Sequence, residues 1–101
     1  MSYIAPLKDT LFNIEHLARI DQVAQWPGFE EAGLDTARAV LEECARFNQD
    51  VIAPLNAVGD REPSWFKDGE VRTTPGFKEA FAQFAAGGWQ GLAQARFPDC
   101  R

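Results

Sequence analysis

The chain has little of the material from which most catalytic and metal sites are built. Its 101 residues include one histidine, His16, and two cysteines, Cys44 and Cys100. The cysteines lack the spacing of a redox pair and have no neighbouring histidine for zinc, and a lone histidine has no second one to act with. We therefore predict no metal ligand here, an exposed helical His16 and a Cys44 that serves as a small buried hydrophobic residue.

Long apolar runs and an excess of positive charge are absent as well. No stretch approaches the roughly 20 apolar residues that span a bilayer, and the N-terminus lacks the basic and apolar regions of a secretory signal. The net charge is −5, and residues 1–60 carry four Lys or Arg against ten Asp or Glu. We expect a cytoplasmic protein that binds neither nucleic acid nor an anionic membrane surface.

The composition is that of a globular domain, with 46% hydrophobic and 25% charged residues. A first helix is predicted after Pro6, where apolar residues recur in steps of three and four as far as Val23. Residues 26–28, Trp-Pro-Gly, should end this stripe.

The second helical stripe is the clearest in the chain and covers residues 34–55. We expect Asp35 or Thr36 to cap its first turn, because their side-chain oxygens can accept the free amide hydrogens there. Pro54 removes a backbone donor, so it should kink or end the helix near its position.

The third helix is predicted after Thr74, with that threonine as its cap and Pro75 at its first position. Phe77, Phe81 and Phe84 would line its apolar face, and residues 87–88, Gly-Gly, would end it. Between the second and third helices, residues 65–67 and 71–73 flank a three-residue loop that contains glycine. This pattern favours a short hairpin or an extended stretch. The predicted fold class is therefore all-α, with three main helices.

Several patterns could suggest chemistry, yet each has a simpler explanation. The adjacent pairs at residues 30–31 and 42–43, all glutamates, diverge by about 100° on a helix and are interpreted as solvated faces. Gly87, Gly88 and Gly91 lack the strand and the Gly-Lys-Ser/Thr sequence of a phosphate loop. Ser64 and Ser2 have no partner that could activate a nucleophile. The phenylalanine stripe with Trp89 could line an acyl-chain pocket, although core packing is the favoured interpretation.

Three separated stretches nevertheless resemble one family. They are residues 3–9 (YIAPLKD), 54–60 (PLNAVGD) and 88–92 (GWQGL), and residues 68–71 and 74–80 add to the ordered set. Together they resemble the opening of a bacterial acyl-CoA dehydrogenase, in the subgroup with an extended N-terminus that includes the 3-methylmercaptopropionyl-CoA dehydrogenases. The resemblance covers about nine tenths of the chain, whereas residues 93–101 depart from the acidic, glycine-rich continuation of that family.

The resemblance implies a division into an N-terminal extension, residues 1–28, and a partial N-terminal helical domain, residues 29–101. In the family, a glutamate removes the α-proton of an acyl-CoA thioester while the β-hydrogen passes as hydride to FAD. Electrons then leave to an electron-transfer flavoprotein. The flavin site and the catalytic base belong to later domains, so the resemblance implies no catalytic, cofactor-binding or metal residue in this chain.

Three functional hypotheses follow. The leading one is a scaffold that is inactive alone and packs on the remainder of an FAD-dependent acyl-CoA dehydrogenase. The alternative is a stand-alone helical module that dimerises or docks through exposed apolar faces. A third is a small acyl-CoA or lipid carrier built on the aromatic stripe.

Overall fold

The computed structural model describes residues 3–92, and the chain divides into two compact units at Pro54. Most of the described residues are helical, and an antiparallel hairpin of two three-residue strands lies in the second unit. The prediction of a mainly helical chain with a hairpin between its later helices is confirmed. The predicted all-α class is only approximately correct, because the hairpin forms a two-stranded sheet.

The first unit begins with α1 (Leu7–Phe12), continues through a π-helical turn (Asn13–Leu17) and then forms α2 (Ile20–Val23). The predicted first helix is therefore interrupted. Arg19 adopts a left-handed conformation with φ +53°, which a right-handed helix cannot contain. The expected end of the stripe is confirmed, since Trp26 and its followers form turns.

The longest helix of the first unit is α3 (Leu34–Phe47), which packs against α1. Gly33 precedes it in an extended conformation, and no side chain caps its amides, so the predicted cap at Asp35 or Thr36 is wrong. The buried Ala45 lies on α3. The amide of Ala5 donates to Oε1 of Gln49 at 3.1 Å, which adds a polar contact between the chain before α1 and the segment after α3.

Helical structure continues beyond α3 through a second π-helical turn (Asn48–Ile52) into α4 (Ala53–Arg61). Of the two effects predicted for Pro54, a kink or an end of the helix, the end is wrong, because helical structure continues past it. The kink stays a prediction. The amide of Ala53 bonds to the carbonyl oxygen of Asn48, five residues earlier. Such a widened turn relieves the clash that a proline ring makes with a carbonyl one normal turn before it.

The hairpin of the second unit pairs β1 (Trp65–Lys67) with β2 (Glu70–Arg72). Asp68 and Gly69 connect the strands with φ of +54° and +80°. Two consecutive positive φ angles define a type I′ turn, whose twist matches that of paired strands. The connection is therefore one residue shorter than predicted.

The last helix, α5 (Phe77–Ala86), begins after Gly76, where φ is +91°. Thr74 does not cap it, because Gly76 occupies that position. The predicted stop is confirmed: Gly87 follows the helix, Gly88 is left-handed, and a 3₁₀ turn (Trp89–Gly91) comes next.

The aromatic face of α5 departs from the predicted core stripe. Ala80 is the buried residue on this helix, whereas Phe81 is 69% exposed and Phe77 39%. The rings of Phe81 and Phe84 lie 6.2 Å apart. Within residues 3–92, no large side chain is fully buried.

Candidate functional site

In the described part of the chain, no helix is long and apolar enough to cross a membrane. No group of three or more His, Cys, Asp or Glu residues in that part is arranged to hold a metal ion.

His16 lies in the first π-helical turn, with its side chain 57% exposed. Its Nε2 is 3.6 Å from Oε2 of Glu15, and its ring lies 4.8 Å from that of Phe12. The exposed position agrees with the prediction, whereas the contact with the neighbouring carboxylate was not predicted. An exposed contact of this kind contributes little to stability and builds no enclosed catalytic site.

Cys44 is half-buried, whereas a buried hydrophobic residue was predicted. The side-chain amide of Asn48 donates to the Cys44 carbonyl oxygen at 2.8 Å and lies 3.3 Å from its Sγ. This contact joins the last turn of α3 to the first residue of the second π-helical turn. Cys100 and Ser2 lie outside the described residues.

The glutamate pairs are exposed, as expected of solvated faces. On α3, Glu43 forms an ion pair with Arg46, one turn further along the helix. Glu30 lies in a loop before α3, so the expectation that the first pair lies on a helix is wrong. Its carboxylate Oε1 accepts the amide hydrogen of Gly28 at 3.1 Å.

An open pocket of about 460 Å³ lies at the base of the hairpin. It is lined by Glu62, Pro63, Trp65, Arg72, Thr73 and Pro75. Trp65 is 50% exposed, and Arg72 lies 3.6 Å from the carboxylate of Glu70. The phenylalanine stripe of α5 does not line this pocket, so the acyl-chain hypothesis gains no support from it.

The opposite hairpin face is apolar. Phe66 and Val71 are cross-strand partners, and they are 71% and 70% exposed. Because alternate residues of a strand point to opposite faces, this pair lies away from Trp65 and Arg72. Two neighbouring apolar side chains with such large exposed fractions form a surface on which a packing partner would bury them.

A further candidate surface is formed by the aromatic rings of Trp26 and Phe29 in the first unit. Trp26 to Phe29 form a turn in which the Phe29 amide donates to the Trp26 carbonyl oxygen at 3.0 Å. Pro27 occupies the second position and Gly28, with φ +90°, the third, which is the pattern of a type II turn. The turn brings its end residues together, and the two rings meet edge to face with centroids 6.3 Å apart.

Both rings remain open to solvent, Trp26 at 57% and Phe29 at 51%. From the sequence, this segment was expected only to end the first helical stripe. The signal for the pair was nevertheless present, because proline followed by glycine between two aromatic residues predicts a type II turn that places those residues side by side.

No protein-family model matches the chain, but curated proteins do. It is 44% identical to a 3-methylmercaptopropionyl-CoA dehydrogenase of Ruegeria pomeroyi, over 92% of this chain and 16% of that protein. It is 28% identical to a broad-specificity linear acyl-CoA dehydrogenase of Mycobacterium tuberculosis, over 86% of this chain and 15% of that protein.

The chain thus spans about a sixth of the length of the curated relatives that it matches. The similarity extends through almost all of the described residues, so it includes both units. On this similarity, the chain belongs to the acyl-CoA dehydrogenase family.

Proposed function

We propose that the chain is the N-terminal scaffold of an FAD-dependent acyl-CoA dehydrogenase and has no activity alone. The supporting observation is its 44% identity, over 92% of its length, to 16% of the Ruegeria pomeroyi relative. The remaining five sixths of such a protein would supply the flavin site and the catalytic base. Residues 1–28 would form the N-terminal extension and residues 29–101 the start of the helical domain, in a cytoplasmic enzyme.

The exposed apolar side chains give this proposal a physical basis. Leu17, Phe66 and Phe81 are each at least 69% exposed, and they lie on three different elements. Helices with open apolar faces gain much of their stability from packing partners. In the full enzyme, the partner would be the remainder of the dehydrogenase. Acyl-CoA and an electron-transfer flavoprotein would interact with that complete enzyme.

The first experiment measures flavin content and turnover of the purified chain. We expect no bound FAD and no oxidation of 3-methylmercaptopropionyl-CoA or a linear acyl-CoA. Stoichiometric FAD together with turnover would overturn the proposal.

A complementation experiment then tests the scaffold role directly. The Ruegeria pomeroyi relative would be produced without its matching segment, alone and together with this chain. We expect co-production to restore solubility and dehydrogenase activity that the shortened relative lacks. If activity is the same with and without this chain, the scaffold role is wrong.

The same exposed side chains favour a second candidate, a stand-alone interaction or dimerisation module. Sedimentation at increasing concentration distinguishes the two. A reversible dimer that hides dye-accessible apolar surface supports the module, whereas a monomer at all concentrations counts against self-association.

A further inference from the structure

The ring pair, Trp26 and Phe29, lies in a segment with a one-sided charge. Residues 20–37 contain four Asp or Glu and no Lys or Arg. Glu30 and Glu31 directly follow Phe29 and are exposed. Two open aromatic rings with an acidic border are therefore presented by one short segment of the first unit.

The backbone holds this surface in a defined shape. Besides the type II turn, a second turn follows it, in which the Ala32 amide donates to the Phe29 carbonyl oxygen at 2.9 Å. The ring of Pro27 restricts the backbone of the first turn, and the Glu30 carboxylate accepts the amide hydrogen of Gly28. A ligand would therefore meet rings that are already ordered, which lowers the entropic cost of binding.

Charge decides what this surface would recognise. Phosphate groups of nucleic acids or anionic lipids would be repelled by the carboxylates. A guanidinium group suits both components, because it stacks on the face of a tryptophan and pairs with a carboxylate through directed N–H groups. The hydrogen bond from Gly28 occupies one acceptor position on Oε1 of Glu30, and a carboxylate has further acceptor positions to which a guanidinium would donate.

We propose that the ring pair and its acidic border form a docking site for a basic segment of a partner protein. An arginine of that segment stacks on the Trp26 indole and pairs with Glu30, and an adjacent apolar side chain packs on Phe29. Tryptophan and arginine are enriched among the residues that contribute most to binding at protein interfaces. This inference is independent of the proposed scaffold function.

The test uses the full chain, labelled with ¹⁵N, and the peptide acetyl-Leu-Arg-Ala-Leu-Arg-amide. We expect the Trp26 indole signal and the amides of residues 28–31 to shift on titration, and the affinity to fall as salt is added. A peptide with lysine should bind more weakly, and one with glutamate in place of arginine should not bind.

Single substitutions distinguish the effect of charge on peptide affinity from an effect on the folded structure. Glu30→Gln keeps an acceptor for the Gly28 amide but removes the charge, so we expect affinity to fall about 2- to 5-fold with an unchanged amide spectrum. Trp26→Ala should lower it by a similar factor. Glu42→Gln removes an exposed carboxylate on α3 and should leave affinity unchanged.

Three results would overturn the proposal. One is the absence of any shift with the arginine peptide. Another is equal binding of the glutamate peptide, which would indicate an apolar surface without charge selection. The third is a set of shifts that are as large at the Trp65 and Trp89 indoles as at that of Trp26, which would indicate unselective binding.

Discussion

The hydroxyl group of Thr74 donates to the carbonyl oxygen of Glu62 at 2.9 Å. This hydrogen bond links the segment that follows the hairpin to the segment that precedes it. The backbone amide of Thr74 donates to Oγ of Ser64 at 3.1 Å, and the hydroxyl oxygens of Thr74 and Ser64 lie 3.4 Å apart. Because the single hydroxyl hydrogen of Thr74 goes to Glu62, the Ser64 hydroxyl is the donor between the two side chains. Thr74 is only 3% exposed, so these bonds are shielded from water.

Thr74→Val tests this link, because it keeps the side-chain shape and removes the hydroxyl group. We expect a loss of about 1–3 kcal/mol in the free energy of unfolding, since the Glu62 carbonyl group would lose a shielded partner. Urea unfolding measures the change. The exposed Thr73 supplies the matched control, and Thr73→Val should change stability by less than about 0.5 kcal/mol. Equal losses in the two variants would contradict the role of Thr74.

Gly76→Ala tests the entry to α5. At φ +91°, any side chain is strained, and a Cβ atom would lie 2.7 Å from Cδ2 of Leu55. We expect a destabilisation of about 1–2 kcal/mol from the left-handed backbone, increased by that close contact. Gly91→Ala is the control, since a Cβ there meets no atom within 4 Å and φ is not positive. Thermal unfolding of both variants decides, and a Gly76→Ala chain as stable as the control would refute the expectation.

Much of this fold could be predicted from local patterns. The periodicity of residues 34–47 predicts α3, and Asp68 with Gly69 predicts the hairpin, because both signals act over a few residues. Whether the helix would bend or end at Pro54 could not be decided from the sequence, since its continuation depends on a widened turn that leaves no mark in apolar spacing. Thr74 was misjudged because its hydroxyl bonds to Glu62, twelve residues away in sequence, and not to the helix that follows.

The candidate surfaces were harder to anticipate than the elements. Helical spacing favours a buried Phe81, yet that ring is 69% exposed. Periodicity shows which residues share a face, but it carries no information on whether another segment covers that face. The ring pair was missed for the opposite reason, since a strong turn signal at Pro27 and Gly28 was interpreted only as an interruption.

Ala45→Leu tests the packing of α3 in the first unit. Ala45 is 6% exposed, and a larger side chain at a buried position forces neighbours apart. We expect a loss of about 1–3 kcal/mol in the free energy of unfolding. Ala39→Leu is matched in chemistry and helix, but its position is exposed, so its effect should be close to zero. Denaturant unfolding monitored by helical circular dichroism compares the two, and equal midpoints would contradict the packing described here.

The pH dependence of the turn around Glu30 is the last prediction. Hydrogen bonds from its own amide and from that of Gly28 hold the pKa of the Glu30 carboxyl below its usual value. A lowered pKa means that the folded chain prefers the carboxylate, so the contribution to stability is complete above the ordinary glutamate pKa of about 4.3. It declines as the pH falls through the lower, folded value.

Glu30→Gln removes this titration while keeping an acceptor for the Gly28 amide. The difference in unfolding free energy between the parent and this variant should therefore be constant near neutral pH and decrease only below about pH 4.3. Carboxyl ¹³C shifts of Glu30 measure the pKa directly, and the ordinary glutamate value of about 4.3 is the comparison. If Glu30 titrates at or above about pH 4.3, its hydrogen bond to the Gly28 amide does not form in solution. The turn that carries the ring pair would then lack the hydrogen bond between the Gly28 amide and the Glu30 carboxylate.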